Sequence, residues 1–557
     1  MRIIESPTAF PADARRRLPS ARSEDGFTMI IALGVLLVTS LLMTAAFVAA
    51  EGDIHLSHGD TVAKKAYYAA QAGVNDYLYH LTQDGNYLTY CTSPSPANPA
   101  LNQISEKTKN TAPVPTINGE VTNERYAIDL LPAEGQPETK CNLADVFGSM
   151  IEQSGSAAGT FRIESTGLAE TKKRSIVATF KNLNFVSFVW YTVFETADPV
   201  VYGGLPEEEK YLKCGAFYGE RPIFCKAFNN YFISGESVNG PIHTEDHAGI
   251  CGSPTFGRKS TDRIEFGHSY KGDEGYSNEE CGGGASPKFV GTHIPPAEVP
   301  SLKPPPGDEE LEHIVEPAYD FSGKTEVVLE GTKMKIIENK GEGAPVTKEN
   351  VAFPASGVIY VTGGCEKFSP FGPAPTYTSD TNCGNVYVHG KYEKPLTIAA
   401  QNDVIINGNI TTAVNGSGTP TGTALLGLIA NNFVRVFHPL SGSREAGYTK
   451  CGSATNSPED LKEPTVYAAI LALKHSLMVD NFDCGKAELG SLNVYGTVAG
   501  MFSNGMTGVF SGGGGIIHGY PYNLKYDNRL QISEPPHFLN PIEAAWYIQR
   551  ETLAPSP

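Results

Sequence analysis

The stretch that decides the fold lies near the start of the chain, where residues 25–50 read DGFTMIIALGVLLVTSLLMTAAFVAA. From Phe27 to Ala50 no side chain is charged. As an α-helix this stretch would be about 36 Å long, since each residue adds about 1.5 Å. The hydrocarbon core of a bilayer is about 30 Å thick, so residues 27–50 are predicted to form a transmembrane helix. A buried helix of a soluble protein rarely stays apolar on every face over such a length.

The segment before this helix is polar, and it carries Arg15, Arg16, Arg17 and Arg22. Basic residues flanking a span tend to stay in the cytoplasm. Residues 1–26 are therefore predicted to be a cytoplasmic leader, and the chain a single-pass membrane protein with an extracellular C-terminal region. The alternative is a cleaved secretory signal, with Ala45-Ala46 or Ala49-Ala50 at the cleavage site.

The junction Gly26-Phe27-Thr28 resembles the processing site of type IV prepilins. The resemblance implies that a prepilin peptidase cuts between Gly26 and Phe27, that Phe27 is N-methylated, and that the helix packs against other pilins in a filament. The fifth residue of such a mature chain is Ile31, where most pilins have Glu. This departure resembles the minor pilins that prime or cap a filament.

A second helix is predicted over residues 60–81, with Asp60 as its N-terminal cap. Its apolar residues recur every three or four positions, which is typical of an amphipathic helix: Val62, Ala66, Ala69, Ala70, Gly73, Val74, Tyr77, Leu78 and Leu81. Residues 66–73, AYYAAQAG, resemble a segment of X-type minor pilins, with Gln71 in place of a Glu.

The composition favours a large, turn-rich extracellular protein. The 557 residues include 58 Gly and 39 Pro, and only 19% are charged. This length predicts two or three structural units. A net charge of −18 argues against binding to nucleic acid, whose phosphates attract basic proteins.

Ten cysteines follow the apolar stretch, and none lies in the leader. An even number in an exported chain predicts disulfides, with pairing between sequence neighbours as the simplest hypothesis. Zinc is the competing interpretation, but no CxxC pair occurs. The cysteines are Cys91, Cys141, Cys214, Cys225, Cys251, Cys281, Cys365, Cys383, Cys451 and Cys484.

The fold is predicted to be α+β and mainly β. Alternating apolar and polar residues in 126–131, 160–167 and 174–180 predict a small antiparallel sheet packed on the helix, as in pilins, giving a pilin-like unit over 51–185. Short β-branched runs separated by Gly and Asn predict a parallel β-helix (solenoid) over 186–534, with a β-sandwich as the alternative. Residues 296–350 are predicted to be an insertion carrying a hairpin, and 535–557 a capping helix and tail.

His243 and His247 flank the densest group of metal-ligating residue types, HTEDH. They are weak candidates for a metal site, because Gly240-Pro241 and Gly249 oppose the helix that would place them on one face. A polar turn is the simpler interpretation. The adjacent Glu245 and Asp246 would point to opposite faces of a strand, which argues against a catalytic pair.

These observations predict a minor pilin-like structural and adhesive subunit that needs no cofactor and is not an enzyme. Its expected partners are the prepilin peptidase, other pilins, the membrane, and a surface ligand or polysaccharide. The alternative is a membrane-anchored extracellular β-helix enzyme that acts on polysaccharide.

Overall fold

The computed structural model is mostly β, with one long apolar helix at the N-terminus. It describes residues 27–83, 87, 99–102, 108–115, 121–133, 150–152, 159–202, 212–278, 284–339, 344–365, 380–445, 450–486, 489–503, 507–510, 516–542 and 545–554. The predicted leader, residues 1–26, lies outside these ranges.

Helix α1 (Phe27–Gln83) is continuous over 57 residues, or about 85 Å. It therefore joins the two predicted helices into one. Its second half packs on strands of the first sheet. The apolar positions that face this sheet are buried, and they belong to the predicted stripe: Val62, Ala66, Ala69, Ala70, Val74, Tyr77 and Leu81.

The first sheet has six strands in the order β1-β3-β4-β5-β32, with β2 paired to β3. The pairs β2–β3, β3–β4, β4–β5 and β5–β32 are antiparallel, and β1–β3 is parallel. The strands are β1 (Leu101–Asn102), β2 (Ala112–Pro115), β3 (Val121–Leu131), β4 (Thr160–Ala169), β5 (Lys172–Leu183) and β32 (Ala545–Leu553).

The capping helix predicted at 535–557 is wrong for Ala545–Leu553, which form strand β32. Ile542, Ala545 and Trp546 fit a helical period, but the edge of β5 offers backbone hydrogen bonds that the local pattern does not reveal. Trp546 then packs against Phe161 in the core under α1. The predicted unit 51–185 therefore lacks one strand of its own sheet, which the end of the chain supplies.

The rest of the chain is built from short strands, most of which pair in parallel. The first group contains β6 (Trp190–Phe194), β7 (Tyr231–Ile233), β8 (Ser237–Val238), β9 (Ile242–Thr244), β10 (Ala248–Cys251), β11 (Thr255–Phe256), β12 (Arg263–Phe266), β13 (Tyr276–Ser277), β14 (Lys288–Phe289) and β15 (Thr292–Ile294). Strands β7 to β15 form three parallel ladders, β7–β10–β13, β8–β11–β14 and β9–β12–β15.

A short helix, α2 (Glu309–Ile314), precedes the second group. Its strands are β16 (Asp320–Ser322), β17 (Lys324–Gly331), β18 (Lys333–Asn339), β19 (Val346–Ala352), β20 (Val358–Thr362), β21 (Val386–Tyr392), β22 (Leu396–Ala400), β23 (Val404–Thr411), β24 (Leu426–Ala430), β25 (Val434–Val436), β26 (Thr465–Ala472), β27 (Leu477–Val479), β28 (Leu492–Phe502), β29 (Gly508–Phe510), β30 (Ile516–Gly519) and β31 (Tyr522–Tyr526).

Two long parallel ladders are present, of which the first runs through both groups and the second lies within the second group. One has the order β16–β20–β22–β24–β26–β28–β6–β9–β12–β15. The other has the order β17–β21–β23–β25–β27. The first strand of the region, β6, thus lies inside the first ladder, and the chain must return from β15 at one end to β16 at the other.

The predicted insertion at 296–350 is only partly correct. It contains the expected hairpin, β17–β18. However, β17 also pairs in parallel with β21 over seven residues, so it belongs to the second ladder. The reason is that β17 carries alternating buried apolar residues, Val327 and Leu329 among them, which complete the same core as the later strands.

Residues 295–308 form what we call the strap, which crosses the outer face of the first ladder. Leu302 accepts a hydrogen bond from the Tyr191 hydroxyl and donates one to the Glu245 carboxylate. Further along, Asp308 donates its backbone N–H to Asn431 at 3.0 Å. Ladder strands such as β22 and β24 are also buried on both faces, since one face lines the interior core and the other lies beneath covering segments, which here include residues 535–538.

Asp308 gives a testable pH dependence. The side chain is fully buried, and burial raises its pKa to about 7, while the hydrogen bond from Tyr360 at 2.9 Å opposes the rise. Because the folded state binds the proton more tightly, stability should fall as the pH rises from about 3.8 to about 7. We expect Asp308→Asn to stabilise the chain at pH 8 by on the order of 2 kcal/mol, and much less at pH 4. Urea unfolding at both pH values measures this.

The exposed Glu310, on helix α2 beside Asp308, provides the control. Glu310→Gln should change stability by less than about 0.5 kcal/mol at either pH. An equal effect of Asp308→Asn at pH 4 and pH 8 would show that the buried carboxyl is not the titrating group.

Candidate functional site

The first candidate site is the N-terminal half of α1. From Met29 to Val48 every described side chain is exposed, and none is charged. Its polar hydroxyls bond to carbonyls of the same helix: Thr39 to Val35 at 2.8 Å, Ser40 to Leu37 at 2.9 Å, and Thr44 to Ser40 at 2.7 Å. The surface offered to the surroundings is therefore apolar on all sides, as a bilayer or neighbouring apolar helices require.

The predicted site residues of this helix have different outcomes. Phe27 is the first residue of α1, whereas Gly26 lies outside the described residues. Ile31 is 51% exposed on the apolar surface. Ala50 belongs to the helix backbone, but its side chain lies outside the described part.

Three disulfides join cysteines that are neighbours in the sequence: Cys214–Cys225, Cys365–Cys383 and Cys451–Cys484. Cys251 is also disulfide-bonded. Cys91, Cys141 and Cys281 lie outside the described residues. Among described side chains, Cys451, Asp483 and Cys484 are the one group close enough to hold a metal. Because those two sulfurs are bonded to each other, neither is available as a thiolate ligand.

The second candidate site is the histidine predicted as a weak metal ligand. His243 lies on β9 and is fully buried. Its Nδ1 lies 2.6 Å from Glu265 Oε2, and its Nε2 lies 3.1 Å from Glu245 Oε1. Burial alone would lower the pKa of His243, but hydrogen bonds and charges from Glu245 and Glu265 raise it to about 9. His243 is therefore an imidazolium between two carboxylates, which is the opposite of the neutral ring a metal needs.

His247 does not join this group. Its Nε2 lies 2.8 Å from Asp273, and its ring stacks on Tyr218 at 4.4 Å. Burial lowers the pKa of His247 in spite of the Asp273 carboxylate, so the ring is neutral near pH 7. The structure does not bring His243 and His247 together as ligands of one metal, since the group of described side chains close enough to share an ion does not include them.

The other carboxylates of the HTEDH stretch also have intramolecular partners. Asp246 accepts hydrogen bonds from Arg221 and from the backbone N–H of Glu195. Glu195 in turn accepts from Trp190 at 2.9 Å and from Asn230 at 2.9 Å. This arrangement holds the C-terminal ends of β6 and β9 together and is typical of a buried structural network.

Sequence reasoning missed Tyr191 and Glu265, the partners of His243. The strand register aligns Tyr191, His243 and Glu265 in one column across β6, β9 and β12. The Tyr191 and His243 rings stack at 5.4 Å. The sequence could have revealed this column only if the number of residues between successive strands of the ladder were known, and that number varies along the chain.

Comparisons with known proteins add little to this geometry. No family model matches the chain, and no curated protein matches it. Among solved structures, the chain is similar to the competence-associated pilin ComZ from Thermus thermophilus, with 9% sequence identity and a TM-score of 0.26. The alignment covers 88% of this chain and 98% of that chain. A similarity at this TM-score carries no argument about fold or function.

Proposed function

We propose that this chain is a pilin-like structural and adhesive subunit of a type IV pilus or related filament, anchored by the N-terminal half of α1. The observation that carries the proposal is the division of one unbroken helix into two environments. Residues 29–48 are apolar and exposed, whereas the stripe from Val62 to Leu81 is buried against a sheet. A helix of this kind can sit in a membrane and later pack on the same helix of other subunits, while its second half holds the folded head.

The proposed orientation places residues 1–26 in the cytoplasm and the β-rich region outside. Arginines before the span support the first part. The disulfides support the second, because such bonds persist in oxidising compartments.

We further propose that the large β region is a solenoid. Supporting this, successive passes of the chain add one strand each to the same parallel ladders, and each pass buries its apolar residues only by stacking on its neighbours. So large a head would clash with its neighbours along a filament shaft, which favours the tip. Ile31 stands where most pilins have Glu, and this departure also supports a subunit that primes or caps the filament.

The proposed role is mechanical and adhesive rather than catalytic. In support, the carboxylates that flank His243 are used in hydrogen bonds to the ring, to the strap and to Arg263. A polysaccharide-cleaving site needs a pair of carboxyl groups facing the substrate.

Processing at Gly26-Phe27 is the test. We expect the mature protein to begin at Phe27 in cells that contain a prepilin peptidase, and to keep all 26 preceding residues in cells that lack it. N-terminal sequencing and intact mass measure both, and a methyl group on Phe27 would be visible in the mass. Gly26→Val should block the cleavage, because the peptidase family cuts after Gly.

Gly34→Ala is the matched control, since a Cβ at Gly34 would meet nothing within 4 Å. It should leave processing unchanged. An uncut leader in the presence of the peptidase would make the chain a static membrane anchor, and a start after Ala46 or Ala50 would make it a secreted protein. Either result would overturn the pilin proposal and favour a surface enzyme or binding module.

A further inference from the structure

A polar cleft lies where the first sheet meets the parallel ladders. It is formed by β5, the start of β12 and the loop before it, Gln531 in the segment after β31, and β32, and it encloses about 40 Å³. A single water needs about 10–15 Å³ on this measure, so the cleft has room for about three waters or one small oxyanion. Its polar lining residues include Lys181, Lys259, Thr261, Arg263, Gln531 and Gln549.

Three of these residues are cations, and no lining residue in the described part of the chain is acidic. Two carboxylates close in sequence to the cleft's Arg263 are already engaged. Asp262 is held by Arg258 at 3.0 Å, and Glu265 is shared between Arg263 and His243. In a chain with a net charge of −18, this concentration of positive charge is a local exception.

The side chains that form the cleft are held in place. Arg263 lies 4.4 Å from the centre of the Tyr547 ring and donates Nε to Glu265. Lys181 lies on β5 opposite Tyr547 of β32 in the strand register. Burial, together with the positive charges of Lys259 and Arg263, lowers the pKa of Lys181. An anion in the cleft would relieve this repulsion.

We propose that this cleft binds a small oxyanion, a phosphate, sulfate or carboxylate group, through Lys181, Lys259 and Arg263. Guanidinium and ammonium groups are the usual partners of such groups. The anion is either a free ion or a charged group carried by a saccharide. The proposal does not depend on the filament role, because it rests on the cleft alone.

The test uses the purified full chain in detergent. Binding of inorganic phosphate is measured by calorimetry and by the thermal midpoint, with sodium chloride at matched ionic strength as the reference. We expect phosphate to bind and to raise the midpoint, and Lys181→Gln to weaken binding at least ten-fold. Lys259→Gln is the second variant, since the exposed Lys259 can be changed without disturbing the fold.

Lys172→Gln, at the exposed far end of the same strand β5, is the matched control and should bind phosphate as the wild type does. Glucuronate and glucose 6-phosphate are measured beside phosphate. Binding at least ten-fold tighter than phosphate identifies a saccharide-borne group, and binding no tighter identifies the free ion. Failure of all three to bind would overturn the proposal, and so would equal losses in the Lys259→Gln and Lys172→Gln variants.

Discussion

Replacing His243 with phenylalanine is expected to lower the free energy of unfolding by about 3–5 kcal/mol at pH 6, the usual cost of breaking a buried ion pair. The His243 and Glu265 side chains are fully buried, and Glu245 closes the other side of the ring. A phenyl ring keeps the stacking on Tyr191 and the volume of the site. The loss therefore comes from removing the cation between two carboxylates, of which Glu265 keeps Arg263 and Glu245 keeps the Leu302 N–H.

The same group predicts how stability depends on pH. The pKa of His243 is raised from 6.5 to about 9, so the folded state holds a proton that the unfolded state releases. This contribution is complete below pH 6.5 and is lost as the pH rises to about 9. At about 1.4 kcal/mol per pKa unit, its size is about 3 kcal/mol. The variant should lack this decline between pH 6.5 and 9.

Urea unfolding followed by the fluorescence of Trp190 measures both effects, because Trp190 lies beside Ile242 of β9 in the ladder. The chain has two tryptophans, and Trp546→Phe removes the second signal. Trp546 Nε1 has no hydrogen-bond partner among the described residues, so this background loses no bond. His58→Phe is the control, since His58 is exposed on α1. If His243→Phe were no more destabilising than His58→Phe, the ring would not be an imidazolium between two carboxylates.

The elements that the sequence predicts well are those whose pattern is local. The stripe from Val62 to Leu81 repeats every three or four residues, so it reveals a helix and the face that packs. Two apolar runs on either side of a Gly turn likewise indicate the hairpin β17–β18. In both cases the deciding contacts lie within a few residues.

The elements that the sequence does not reveal are those whose pairing partners lie far away along the chain. Strand β32 pairs with β5, from the far end of the chain, and a helical spacing of Ile542, Ala545 and Trp546 hides that strand. The pairing of His243 with Glu265 spans 22 residues, whereas the Thr192–Thr244 contact one strand away spans 52. Such unequal coil lengths leave no fixed period from which the column through His243 could be deduced.

The contact between α1 and its sheet leads to the second large effect, at Gly167 of β4. A Cβ there would lie 1.9 Å from the Ala66 carbonyl oxygen and 2.4 Å from the Ala70 nitrogen. Both are backbone atoms of α1, so the helix itself would have to move. We expect Gly167→Ala to lower the free energy of unfolding by about 3 kcal/mol, at the upper end for overpacking.

The substitution Gly73→Ala, on the helix side of the same contact, should also lower the free energy of unfolding, but by less than Gly167→Ala. Its Cβ would lie 2.3 Å from Ser165 Oγ and 2.8 Å from the Tyr126 ring, and both of these are side-chain atoms that can shift. The Ser165 hydroxyl also donates to the Ala70 carbonyl at 2.7 Å, a bond that a shift would lengthen. Amide hydrogen exchange of β4 measures both variants, because its protection reports local opening of this contact.

Gly59→Ala is the matched control on the same helix, since its Cβ would meet nothing within 4 Å. There alanine should stabilise the helix by up to about 1 kcal/mol, because glycine is the poorer helix former. If Gly59→Ala raises the free energy of unfolding and Gly167→Ala lowers it, the loss at Gly167 comes from the close approach of helix and sheet. If both substitutions change the free energy of unfolding in the same direction, α1 does not pack on β4 at this distance. The proposed anchor would then lack a rigid connection to the head, because α1 joins them through this contact.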